Sequence, residues 1–319
     1  MKVVYCVEYG SHEALEVREI DPPGPPETGQ VKVDVEARGI QFSDLVRIAG
    51  NYQDKSGFPF VVGGEGAGVV VATGPEVENI SVGDRVLVNS GCVEQINVSA
   101  KSVTPIPEGI DFNVAASFRN NYATAYYGMQ RANLQAGETL LVHGAAGGVG
   151  LAAVDIGKLY GATVIGTASS DEKLAVVKKL GADHIVNYTD GFRDQVKELT
   201  GGRGADVIYD PVGGDVFDES MRCVAPFGRI LIVGFTSGRP ALAKTNHLLV
   251  KDASVIGYTL GGLQRHNPEL NRQNSQILMA WLVSGRIKPF ISHVLSMDDV
   301  VEAYQLLVDR KVVGKVILT

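Results

Sequence analysis

The sequence predicts a two-domain α/β protein: a β-rich domain of short strands with a doubly wound, parallel-sheet domain inserted into it. Three observations carry this. The first hundred residues break into short β-type runs divided by Gly/Pro turns. From Leu140 onward, strand and helix patterns alternate. The chain then closes on a strand-like GKVILT, set apart from the alternating region by a helical stretch. A chain of 319 residues, 45% hydrophobic, exceeds the size of about 250–300 residues at which single cores stop growing.

Taken in order, Val3–Val7, Val31–Val35, Gly66–Thr73 and Arg85–Val88 read as strands. PPGPPETG (Pro22–Gly29), GPEVEN (Gly74–Asn79) and SVGD (Ser81–Asp84) read as turns, which together suggest a barrel-like or sandwich-like domain. After Pro107, AASFRNNYATAYYGMQRA has helical spacing, and it places Tyr122, Tyr126 and Tyr127 on a helix at the domain border. LLVHG is then a strand and Leu151–Leu159 a helix. TVIGTA is a strand, Glu172–Leu180 a helix and HIVNY a strand. FRDQVKELT is a helix, DVIYDPVG a strand, FDESMRCV a helix and RILIVG a strand. Ile277–Ser284 is expected to be helical, with Trp281 in the core. Ser296 and Asp299 are spaced as a capping box ahead of VVEAYQLLV. The closing strand is expected to return to the first domain. The domains are therefore set at residues 1–122 plus 262–319, and 123–261.

Composition narrows the function. A net charge of −7 with no basic stripe argues against a nucleic-acid partner. Cys6, Cys92 and Cys223 are far apart and read as small buried hydrophobes, not a disulfide framework. MKVVYCVEYG meets Glu8 too early for a signal peptide, and no apolar run reaches membrane-spanning length, so a cytoplasmic compartment is expected.

The stretch LLVHGAAGGVG (Leu140–Gly150) carries the chemistry. Gly144 lets the chain turn off the strand, Gly147 lets backbone approach a pyrophosphate, and Gly150 lets the helix sit close to the sheet. Ala146, Gly148 and Val149 complete the loop, and the helix beginning near Val149 turns its positive end toward phosphate. A strand before it, a helix after it and a second strand on schedule make this a dinucleotide site. That second strand ends Gly166-Thr167-Ala168, followed by Ser169 and Ser170. The acids Asp171 and Glu172 come late, and Lys173 follows. Hydroxyls with an ammonium suit a 2′-phosphate, although Lys173 alone reads equally as a solvated helix charge. His143 reads as a core histidine with its ring nitrogens satisfied.

No zinc-ligand spacing is present. GIQFSD lacks Cys, GGEGAG lacks His beside Glu65, and the six histidines are scattered. Without a Lewis acid, hydride transfer suits a conjugated acceptor or a quinone, whose developing charge spreads onto a hydrogen-bonded oxygen.

GIQFSDLVRIAGNY (Gly39–Tyr52), GGEGAGVV (Gly63–Val70), NYATAYY (Asn121–Tyr127), VHGAAGGVG, IVNY, YDPVGG (Tyr209–Gly214), GRILIVGF (Gly228–Phe235) and GKVIL (Gly314–Leu318) resemble the zinc-free quinone oxidoreductase branch, zeta-crystallin-like, of the medium-chain dehydrogenase/reductase superfamily. The resemblance implies a GroES-like β-rich catalytic domain, an inserted Rossmann-type domain, a homodimer, NADPH as cofactor and a small quinone or enone substrate. It implies that Ser169, Lys173 and Tyr188 bind NADPH with the glycine turn and that Thr124 faces the nicotinamide or its ribose. Gly234 and Phe235 would line the path from adenine to nicotinamide, with Gly261 and Lys315 near the interdomain cleft. On the substrate side it implies Tyr52, Asp44 and an asparagine, where this chain has Gln41. Asp44 would orient a loop backbone or a neighbouring side chain. Arg119 reads as a surface arginine or helix-cap partner, the alternative being a contact to a carboxylate- or phosphate-bearing substrate. Two other readings stay open: a reductase of another activated alkene such as an acryloyl-type thioester, and a nucleotide-binding structural or RNA-binding relative with little turnover.

Overall fold

The computed structural model describes residues 1–52, 55 and 57–319. In chain order the strands and helices are β1 (Lys2–Cys6), β2 (Leu15–Glu19), β3 (Gln30–Ile40), α1 (Phe42–Ile48), β4 (Phe60–Val61), β5 (Glu65–Thr73), β6 (Arg85–Asn89), β7 (Gln95–Ser99), β8 (Thr104–Pro105), α2 (Phe112–Ala132), β9 (Thr139–Val142), α3 (Gly148–Leu159), β10 (Thr163–Ala168), α4 (Asp171–Lys179), β11 (His184–Asn187), α5 (Arg193–Leu199), β12 (Ala205–Asp210), α6 (Gly214–Cys223), β13 (Val224–Ile232), α7 (Thr245–Lys251), β14 (Ser254–Gly257), α8 (Leu260–His266), α9 (Pro268–Val283), β15 (Ile291–Leu295), α10 (Val300–Val308) and β16 (Lys315–Leu318).

Two compact units result, one of Met1–Arg119 with Pro289–Thr319, the other of Asn120–Lys288. The second border thus falls after Lys288 rather than at Gly261. The reason is α9, whose Asn274 exchanges two hydrogen bonds with Gln130 of α2, at 3.0 and 2.8 Å. Trp281 packs edge-on to Tyr126 at 5.2 Å between centroids. It is half-buried there rather than in the core. Helix α9 starts at Pro268, earlier than expected, because the Asn267 side chain caps the Leu270 N–H.

The first unit is β-rich. A seven-stranded sheet runs β15-β16-β3-β5-β6-β8 with β7 also on β3, and a three-stranded sheet runs β2-β1-β4. The closing strand β16 lies antiparallel to β3, pairing Val316 with Ile40 and Leu318 with Arg38. Strand β3 outruns the span read from its valines. Arg38 lies buried in it because its guanidinium donates to the carbonyls of Val93 (2.8 Å) and Val35. Ser296 accepts from Asp298 and so caps a 3₁₀ turn at Met297–Asp299, one turn short of α10, instead of forming the expected capping box.

The second unit is a six-stranded sheet in the order β11-β10-β9-β12-β13-β14, with every pair parallel. Leu140, Leu141 and Val142 of β9 are all fully buried, as a central strand covered on both faces requires. The strand order reverses between β9 and β12, and such a reversal opens a crevice at the carboxyl ends of the strands.

His143 extends β9 by one residue, its N–H donating to the Tyr209 carbonyl at 3.0 Å. Its ring is buried, with nitrogens 3.0 Å from Thr167 Oγ1 and 2.9 Å from Ser220 Oγ. The Ser220 hydroxyl donates to the Val216 carbonyl at 2.7 Å, so Nε2 carries the proton and Nδ1 accepts from Thr167. Burial pushes the imidazole from 6.5 down to about 3. The folded state holds the neutral ring, while the unfolded chain takes a proton near pH 6.5. The stabilisation is therefore complete above pH 6.5 and is lost as pH falls toward about 3, with a slope of about 1.4 kcal/mol per pH unit. Urea midpoints measured from pH 7.5 to 4.5 should fall less steeply in His143→Gln, whose amide can meet the same hydroxyls without titrating.

Candidate active site: a glycine turn and an acid-capped loop

The turn after β9 has little room for side chains. Gly144 sits at φ +54°, in the left-handed region. The Ala145 N–H donates to the Thr167 carbonyl at 2.9 Å, and the Gly147 N–H folds back to the Gly144 carbonyl at 2.9 Å. Helix α3 then starts at Gly148. A Cβ on Gly150 would stand 2.2 Å from the Gly144 oxygen, so the first turn of the helix is stacked directly on the loop. Gly148 abuts the Asn121 amide of α2 in the same way. Ala146 is buried and Val149 half-buried. The N–H groups of Gly148, Val149 and Gly150 have no acceptor within α3, and the helix dipole adds partial positive charge. This cradle of small residues and backbone amides fits a diphosphate.

The register Ala168↔Asn187 brings the residues that follow β10 and β11, Ser169 and Tyr188, to one edge of the sheet. Lys173 lies in the first turn of α4, where Ser170 is the N-cap. The late acids are both engaged. Asp171 accepts from Asn187 at 3.0 Å. Glu172 is held low by its own backbone N–H and by the Ser170 hydroxyl. Thr167, expected to bind cofactor, is instead fully buried with its hydroxyl on His143. The pairing Val142↔Gly166 sets Thr167 opposite His143 and turns its side chain into the core.

Two loops close the same end of the sheet. Pro211 and Val212 stand 3.5 and 3.6 Å from where a Gly144 Cβ would lie. The N–H groups of Val233, Thr236 and Ser237 donate to the carbonyls of Asp210, Pro211 and Val212 at 3.0–3.1 Å. Gly234 and Phe235, which is 42% exposed, are therefore held beside this loop. Asp210 was not anticipated. One carboxylate oxygen accepts from Val212 and Gly213 at 2.8 and 2.9 Å, and the other is buried with no partner among the described residues. Thr124 is half-buried on α2, one turn beyond Asn121, with its hydroxyl on the Asn120 carbonyl. Gly261 lies exposed in the first turn of α8.

In the first unit, Gln41 is the N-cap of α1. Its N–H donates to Asp44 Oδ2 at 2.9 Å, and the Asp44 N–H returns to the Gln41 carbonyl at 3.1 Å. Asp44, expected among the catalytic residues, has its carboxyl inside the fold. Burial pushes it up to about 6, against the opposing pull of the Gln41 N–H, Lys315, the Tyr304 hydroxyl and Arg47. It holds the Gln41 backbone in place, an orienting role of the kind the resemblance implied. Tyr52, 39% exposed, follows α1. Lys315, expected to bind cofactor, is corrected too: its ammonium is buried on Glu65 at 3.0 Å, which joins β16 to β5. Arg119 is half-buried, and nothing in the structure assigns it a ligand. Among the described residues no group of three or more His, Cys, Asp or Glu side chains is placed to hold a metal ion, and no helix is long and apolar enough to cross a membrane.

Removing one member of a buried ion pair strands the other. Lys315→Met should cost about 3–5 kcal/mol in urea unfolding, and adding Glu65→Leu should recover most of that loss.

Two family descriptions match the chain: an alcohol dehydrogenase GroES-like domain over residues 27–112 and a zinc-binding dehydrogenase domain over residues 148–276. A quinone oxidoreductase-like protein 2 homolog from Nematostella vectensis is 42% identical over 299 residues, covering 91% of this chain and 82% of its own. The crystal structure of Escherichia coli quinone oxidoreductase complexed with NADPH superposes with a TM-score of 0.90 at 29% identity, over 100% of this chain and 99% of that one. The crystal structure of CurK enoyl reductase gives 0.88 at 28% identity, over 100% and 98%. The β-rich first unit is GroES-like and the second Rossmann-like, and the chain belongs to the quinone oxidoreductase branch of the medium-chain dehydrogenase/reductase superfamily.

Proposed function

We propose that the chain is an NADPH-dependent reductase that delivers hydride to a quinone or conjugated enone and needs no metal ion for the step. The observation that supports the reading is the amide-lined glycine turn, with Ser169 and Tyr188 following the paired strands β10 and β11 and Lys173 in the first turn of α4. The α3 amides hold the diphosphate. The hydroxyls and the ammonium hold a 2′-phosphate, and Asp171, the first acid after β10, is turned to Asn187 through Oδ1. NADPH supplies the hydride. Thr124 lies toward the nicotinamide ribose. On the acceptor side, Gln41 and Tyr52 donate hydrogen bonds to the carbonyl oxygen on which charge develops.

The chain offers no histidine as an obligatory proton donor in this reading. His143 is buried, neutral and committed to Thr167 and Ser220. A quinone suits that arrangement, because its reduced oxygens are stable as phenolates and take protons from water. An activated alkene such as an unsaturated thioester is the second reading, favoured by the likeness to an enoyl reductase.

Oxidation of NADPH at 340 nm, run against 1,2-naphthoquinone, 9,10-phenanthrenequinone, short enones and unsaturated thioesters, separates the two. Turnover is expected with the quinones and should not change with a chelator. Lys173→Ala should raise the KM for NADPH about tenfold or more and leave that for NADH unchanged. Equal affinity of the parent protein for NADPH and NADH would overturn the 2′-phosphate assignment.

A further inference from the structure

Helix α10 places the Tyr304 side chain, fully buried, among Ile40, Ile48, Val300, Val316 and Leu318. Phenylalanine would fill that space equally well. Among the described residues the hydroxyl donates to Asp44 Oδ2 at 3.2 Å. The same carboxylate oxygen receives the Gln41 N–H at 2.9 Å. One oxygen therefore ties the C-terminal helix to the residue that starts α1. A serine or asparagine cap would satisfy a helix start without burying a carboxylate. The buried acid with its tyrosine is a costlier device than capping needs, and what it adds is a fixed backbone at Gln41.

We propose that Tyr304 is a positioning residue for the reduction: through Asp44 it fixes the Gln41 backbone, and so the direction in which the Gln41 amide meets the acceptor. This rests on the reading of Gln41 as an acceptor donor. Lys315 of β16 and Arg47 of α1 favour the ionised form of Asp44. Glu65 of β5 is paired to Lys315 at 3.0 Å. The Cys92 thiol, itself pushed up to about 12 by burial and by Asp44, stays neutral beside it. With Asp44 near about 6, acceptor handling carries a pH limb in that range, and the Tyr304 hydroxyl is one of the groups holding the limb down.

The test uses the full chain at saturating NADPH with 1,2-naphthoquinone. Tyr304→Phe is expected to raise the quinone KM about 3–10-fold, the usual range for one lost hydrogen bond, with the NADPH dissociation constant unchanged. Its acidic limb should move to higher pH, and Asp44→Asn should abolish that limb. In a Gln41→Ala background, Tyr304→Phe should add nothing, since no amide remains to be aimed. Two outcomes overturn the proposal. If Gln41→Ala raises the quinone KM while Tyr304→Phe has no effect or adds independently, the relay falls and the reading of Gln41 stands. If Gln41→Ala leaves the quinone KM unchanged, that reading falls and takes the relay with it.

Discussion

The contact on which the second unit depends is the stacking of the first turn of α3 on the glycine loop, where Gly150 lies against the Gly144 carbonyl. It sets the helix close to the sheet and leaves the first amides of the helix pointing out of the strand ends. The loop is held from both neighbouring strands. Ala145 is bonded to Thr167 of β10, and His143 to Tyr209 of β12. Asp210 then braces the next loop by accepting two of its N–H groups, and that loop receives three more from the segment after β13. The proposed diphosphate cradle is thus made of backbone, and the side chains around it chiefly hold that backbone still.

Much of this was legible from local pattern. The parallel strands are short apolar runs because both faces are covered, and the glycines mark where chain meets chain. What escaped were contacts whose partners are remote in sequence. Lys315 and Glu65 lie 250 positions apart, and neither carries a local signal that the other is its partner. Tyr304 reads as one more apolar residue of an amphipathic helix until Asp44 is seen against its hydroxyl. Thr167 was misread for a different reason. A hydroxyl near a strand end reads as a ligand contact, but alternation along the strand turned it to the face that holds His143. A buried histidine needs a partner on each nitrogen, so His143 was the available clue.

The first unit solves a different problem. It buries Asp44, Glu65 and Lys315, three ionisable groups whose removal from water is unfavourable unless each finds partners. They do: Glu65 holds Lys315, and Asp44 receives a backbone N–H and a phenol. A hydrophobic triplet of the same volume would be as stable or more so, so stability alone does not explain the arrangement. What the arrangement adds is position: hydrogen bonds are directional, and these tie α10 to α1 and β16 to β5.

That distinction bears on the glutamine at position 41, where the resemblance implied an asparagine. The Asp44 carboxylate grips the backbone N–H of residue 41, not its side chain, so the Cα stays where it is whichever amide the residue carries. The extra methylene then changes where the amide lies relative to that fixed backbone. A displacement of about 1 Å at a donor is enough to change a rate by about a hundredfold. On the proposed reading of Gln41 as the acceptor's donor, a chain that keeps this anchor while lengthening the side chain on it moves the hydrogen bond relative to the scaffold, and favours an acceptor of different shape from one that suits the shorter amide.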